Sequence, residues 1–88
     1  MEIQLKLYGS SKLLSDSATL LIQLPENSNV EKLRNTLTKI ISKKHLKSNL
    51  TGLPKTAAFF SEDDEVVNDN YKLKDKELIS IIPPIGGG

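Results

Sequence analysis

Only one segment of this chain is long and periodic enough to be a helix; every other apolar run has the length of a strand. In PENSNVEKLRNTLTKIISKK, Val30, Leu33, Leu37, Ile40 and Ile41 recur at helical spacing and make one apolar stripe. The spacing predicts a helix from about 30 to 43. Ser28 followed by Glu31 makes a capping-box signature, with Asn29 as the alternative N-cap. Lys39, Lys43 and Lys44 gather at the far end, where positive charge suits the helix dipole. One helix covers one face of one sheet, which already limits the architecture.

The remaining runs supply the sheet. In EIQLKLY, residues 2–8, Ile3, Leu5 and Leu7 point one way and Glu2, Gln4, Lys6 and Tyr8 the other. Gly9-Ser10-Ser11 interrupts it. ATLLIQL, 18–24, is a second strand stopped by Pro25, and it pairs with the first as an antiparallel hairpin with a generous loop. HLKSNLTGLPK, 45–55, reads as loop, punctuated by Gly52 and Pro54. TAAFF, 56–60, is a short strand, SEDDE a polar turn, and EVV a brief strand behind it. Residues 68–77 are polar and turn-rich, and LISIIP, 78–83, is the last strand, ended by Pro83. The order gives an α+β two-layer domain: a mixed sheet of four to five strands with the helix on one face. Residues 1–83 form this domain and 84–88 a flexible tail.

Eighty-eight residues make one small domain, with a stability margin of about 5–10 kcal/mol and little room for a deep catalytic cleft. The formal net charge of +1 attracts neither nucleic acid nor an anionic membrane. Arg34 is the only arginine, which argues further against base or phosphate reading. With no cysteine, the protein offers no disulfide, thiolate zinc site or thiol nucleophile. No signal pattern or spanning apolar run is visible, so the expected compartment is the cytoplasm.

The face away from the helix should be polar. Glu2, Gln4 and Lys6 obey this and Tyr8 does not. Ser80 marks the outer side of the last strand, which puts Ile82 outside as well. If Phe59 is core, Phe60 is outside. Tyr8, Phe60 and Ile82 then form an exposed apolar patch where the tail leaves, of the kind that receives a partner. The alternatives are that loop 45–55 covers it, or that the faces slip by one residue.

Chemistry elsewhere is thin. His45, the only histidine, fits a helix C-terminal cap or a solvated position. Glu62-Asp63-Asp64-Glu65 lacks the alternating pattern of a calcium loop and fits a solvated turn. The lysines from Lys39 to Lys47 have no interleaved aromatics, and no serine has a visible base. No metal site is expected.

What remains is the ending, IIPPIGGG. Pro83-Pro84 cannot continue a strand ladder, and Gly86-Gly87-Gly88 has no side chains, so a rigid step leads to a thin thread. Three residues reach about 10 Å, enough to enter a tunnel that rejects side chains. The group delivered is the Gly88 carboxylate, which must be activated before it reacts, for instance as an acyl-adenylate with ATP. The alternative is a frayed end or a cloning remnant.

The stretch LKDKELISIIPPIGGG, 73–88, resembles the C-terminus of the small subunits of molybdopterin synthase, MoaD/ThiS-like sulfur carriers with the ubiquitin-like β-grasp fold. Asp75 and Glu77 match the family's acidic turn, Leu78 to Ile82 its strand, and Pro83, Pro84, Ile85, Gly87 and Gly88 its tail, with Gly86 at the variable position. NVEKLRNTL resembles its helix start. The chain departs from the family at Tyr8-Gly9-Ser10-Ser11-Lys12-Leu13 and at Phe59-Phe60. The resemblance implies a carrier that binds no cofactor of its own. A ubiquitin-activating-type enzyme would adenylate Gly88 using ATP, and a persulfide donor protein would convert it to a thiocarboxylate. Tail residues Pro83 to Gly87 would enter the large subunit of a heterotetramer, where catalysis would occur, and the sulfur would pass to cyclic pyranopterin monophosphate. A carrier for thiamine or another sulfur metabolite, and a protein modifier joined through Gly88, are the alternatives.

Overall fold

The computed structural model describes residues 1–43 and 52–83. Among these residues five strands are present: β1 (Glu2–Leu7), β2 (Thr19–Gln23), β3 (Ala58–Phe60), β4 (Val66–Val67) and β5 (Leu78–Ile82). Two α-helices join them, α1 (Val30–Lys43) and the single-turn α2 (Leu53–Thr56), and a 3-10 helix spans Gly9–Leu14.

The strands form one mixed sheet in the order β2-β1-β5-β3-β4. β1 and β2 make the expected antiparallel hairpin, pairing Glu2 with Gln23 and Lys6 with Thr19. The two central strands run parallel, with Leu5 opposite Ile79 and Leu7 opposite Ile81. β3 pairs antiparallel with both β5 and β4. The first strand therefore lies beside the last of the described strands, a parallel pairing that needs a crossover connection.

The alternation in β1 and β5 puts Ile3, Leu5, Leu7, Ile79 and Ile81 on the covered face, where they are buried with Phe59. The helix returns the stripe read from the sequence: Val30, Leu33, Leu37 and Ile41 are buried, and Ile40 packs partly against them. Each such side chain contributes roughly 1.5–3 kcal/mol when fully buried. No helix among the described residues is long and apolar enough to cross a membrane.

Asn29 is the residue that caps α1. Its Oδ1 accepts the Lys32 amide at 3.0 Å, while the Ser28 hydroxyl turns back to donate to the Pro25 carbonyl at 2.6 Å. Two further amides of the first turn, Val30 and Glu31, donate to the Tyr71 and Asp69 carbonyls, so segment 68–71 completes the cap.

The structure corrects the reading of 45–60 in two places. Leu53–Thr56 is a helical turn where loop and strand were expected, with Leu53 and Pro54 buried, and β3 accordingly begins at Ala58. Proline is tolerated here because first-turn amides have no intrahelical acceptor. Arg34 supplies the missing long-range partner. Its Nη1 donates to the Pro54 and Ala57 carbonyls, both at 2.8 Å, its Nε pairs with Asp69 at 2.8 Å, and its guanidinium lies 4.7 Å from the Phe59 ring centroid. His45 and the rest of 44–51 lie outside the described residues.

Candidate functional site

The open face of the sheet is assembled by register. Phe60 pairs with Ser80 on one side and Val66 on the other, and Ala58 pairs with Ile82. One step beyond the pair of Leu7 with Ile81, Tyr8 comes alongside Ile82. The face assignment thus holds without a slip. Tyr8 and Ile82 are 38% and 37% exposed, and Phe60 lies between its neighbours half-buried rather than fully open. The Lys6 ammonium sits 5.4 Å from the Tyr8 ring centroid, so the patch has a cationic rim.

Sequence reasoning missed two members of this face. Val66 is 67% exposed beside Phe60, and Leu21 is 55% exposed on the opposite edge of the sheet. The alternation of TLLIQ could have placed Leu21 outside, between Thr19 and Gln23. Val66 gave no such signal, because a two-residue strand has no period.

β5 delivers Pro83 to the rim of this patch. Gly9 turns there with φ of +55°, and a methyl group on it would lie 3.6 Å from Pro83 Cγ and 3.7 Å from Cδ. Pro84, Ile85, Gly86, Gly87 and Gly88 lie outside the described residues.

The two acidic residues ahead of β5 act as anchors. Asp75 Oδ1 accepts the Glu2 amide at 2.8 Å, and the Lys76 amide donates to the Glu2 carbonyl at 2.6 Å. The buried Glu77 carboxylate accepts the Lys74 amide at 2.9 Å and the Tyr71 hydroxyl. That bond, helped by burial, pushes the Tyr71 phenol up to about 12. These contacts tie the start of β5 to β1 and so hold the strand from which the tail departs. Residues 61–65 form the turn into β4, closed by the Ser61 amide donating to the Glu65 carbonyl at 2.9 Å. Among the described residues, no three His, Cys, Asp or Glu side chains gather as a metal site.

Known proteins agree with this geometry. The model of the ThiS family matches residues 5–88. No curated protein matches the chain. Among solved structures, SAMP1 from Haloferax volcanii superposes with a TM-score of 0.68 at 13% identity, over 100% of both chains. The putative molybdopterin converting factor subunit 1 from Pyrococcus furiosus gives 0.70 at 18% identity, covering 96% of this chain and 98% of that one. A chain in the complex of subunits 1 and 2 of the molybdopterin-converting factor from Helicobacter pylori gives 0.63 at 25% identity, over 100% of both. A family match across nearly the whole length, on a mixed sheet with the main helix α1 on one face, means that the chain belongs to the ThiS family and has the β-grasp fold of the ubiquitin-like sulfur carriers.

Proposed function

We propose that this protein is the small subunit of a molybdopterin synthase and carries sulfur as a thiocarboxylate on Gly88. The observation that carries the reading is the ending PPIGGG, which continues directly from β5 at an exposed apolar patch. The likeness to subunit 1 in the Helicobacter pylori complex supports a large-subunit partner.

The chemistry follows from the weakness of a carboxylate as an electrophile. The Gly88 carboxylate attacks the α-phosphate of ATP on an adenylating enzyme, and pyrophosphate leaves. A persulfide sulfur then attacks the acyl carbon and AMP leaves. Cleavage of the remaining S–S bond by a thiol yields the thiocarboxylate. In the large subunit two such carriers in turn each pass one sulfur to cyclic pyranopterin monophosphate, giving the two sulfurs of the dithiolene, and water restores each carboxylate. Tyr8, Phe60 and Ile82 dock the partner, and Pro83 to Gly87 thread the tail. The domain presents a group and a face, and the partners perform the bond-making.

The test is reconstitution with the large subunit and the precursor. Protein charged at Gly88 should yield the dithiolene product, and a Gly88 deletion should yield none while melting at the same temperature. Full activity from the deletion overturns the proposal. A second reading, conjugation to lysines of other proteins through Gly88, is favoured by the likeness to a small archaeal modifier protein at a TM-score of 0.69. An isopeptide-linked ladder in cells that disappears with the Gly88 deletion would establish it.

A further inference from the structure

One charge stands in the middle of the open face. The register sets Lys6 opposite Thr19 on β2 and opposite Ser80 on β5. Its diagonal neighbours on those strands are Leu21, Leu78 and Ile82, and Gln4 and Tyr8 lie before and after it on the same side of β1. None of these side chains carries a charge. Lys6 therefore sits between two apolar areas, Leu21 at the β2 edge and the patch of Tyr8, Phe60 and Ile82. Its ammonium stands 5.4 Å from the Tyr8 ring centroid, which gives it a preferred place on the face. Among the described residues the ion pair present is Arg34 with Asp69, so no described carboxylate neutralises Lys6. Glu2, the other charged strand residue on this side, lies at the opposite end of β1 and accepts from Gln23 Nε2 at 3.3 Å.

A partner seated on Tyr8, Phe60 and Ile82 also covers Lys6, because Lys6 is the strand neighbour of Tyr8 and the diagonal neighbour of Ile82. Covering an ammonium strips it of water, and that cost is recovered only where an opposite charge takes the water's place. A wholly apolar partner surface would leave the charge buried and unpaired. We propose that the surface docking on this face is apolar with one aspartate or glutamate carboxylate set against Lys6, and that Lys6 thereby selects the partner. The inference rests on the large subunit docking here, and adds the chemistry that its surface must carry. Partners that match the apolar patch but lack the carboxylate are rejected by the unpaired charge.

The experiment uses the full chain, its Lys6→Arg, Lys6→Gln and Lys6→Glu variants, and the purified large subunit. In titration calorimetry, Lys6→Arg should bind within about twofold of wild type, Lys6→Gln at least about threefold more weakly, and Lys6→Glu at least about tenfold more weakly, since facing like charges repel. Added salt should weaken wild type more than Lys6→Gln. All three variants should melt within about 4 °C of wild type, as exposed substitutions do, which separates lost docking from lost structure. Zero-length carbodiimide coupling of the wild-type complex should join Lys6 to an aspartate or glutamate of the large subunit, located by tandem fragmentation. Binding by Lys6→Glu within tenfold of wild type overturns the proposal. So does coupling that uses other lysines and never Lys6, or a Lys6→Arg variant that binds as weakly as Lys6→Gln. Wild type that binds no large subunit overturns the proposed function and this inference together, whereas wild-type binding that Lys6→Glu leaves intact overturns this inference alone.

Discussion

At the scale of single residues, two neighbours on β5 point in opposite directions and carry opposite predictions. Ile81 is fully buried and Ile82 is 37% exposed beside Tyr8. Ile82→Asp should lower the melting temperature by no more than about 4–8 °C, because its cost is the strand propensity of an accessible site, about 1 kcal/mol or less. It should weaken binding to the large subunit at least about tenfold, equivalent to roughly 1.4 kcal/mol. Ile81→Asp should unfold the protein by burying a charge in the core. Titration calorimetry and thermal denaturation check both. Tyr71 carries the second residue-scale prediction. Its folded phenol is raised from 10.0 to about 12, first through the bond to Glu77 and then through burial. A folded value above the unfolded one stabilises fully below pH 10 and is lost as pH rises to 12. Absorbance titration should show a phenolate step near 12 that is absent in Tyr71→Phe. Across pH 10–12, wild type should lose melting temperature faster than that variant.

At the scale of elements, the helix shows what periodicity can and cannot reveal. Its span, Val30–Lys43, and its buried stripe were legible because fourteen residues hold several turns of one pattern. Its cap was ambiguous, because Ser28 and Asn29 are both good capping residues. The structure decides for Asn29, so Asn29→Ala should lower the melting temperature by about 4–8 °C and Glu31→Ala by less. A larger loss at Glu31 in parallel melting curves would restore the capping box. The turn of α2 was not legible. Four residues carry no period, and its carbonyls are satisfied by Arg34, some twenty positions earlier in the chain. The same limit hid Val66, while the outward side of Phe60 could be read from its alternation with the buried Phe59.

At the scale of the whole molecule, α1 covers one face, the parallel pairing of β1 with β5 sets the end of β5 beside the end of β1, and the open face carries apolar side chains there. The candidate site follows from this topology. β1 contributes Lys6, the turn after it Tyr8 and Gly9, β3 Phe60, and β5 Ile82 and the start of the tail. No single stretch of sequence contains the site, and only the order of strands joins its parts. The proposed tail was the most legible part of that reading, because its two prolines and three glycines stand out from every other stretch of the sequence.

The absence of cysteine makes the central claim directly measurable. The protein is incubated with ATP, a sulfur donor and a cell extract that charges a known carrier, then treated with a thiol-selective alkylating reagent and weighed intact. The account predicts one adduct, placed on Gly88 by tandem fragmentation, because a thiocarboxylate is the only thiol-like group the chain can acquire. Unalkylated protein under conditions that charge the known carrier would contradict sulfur carriage.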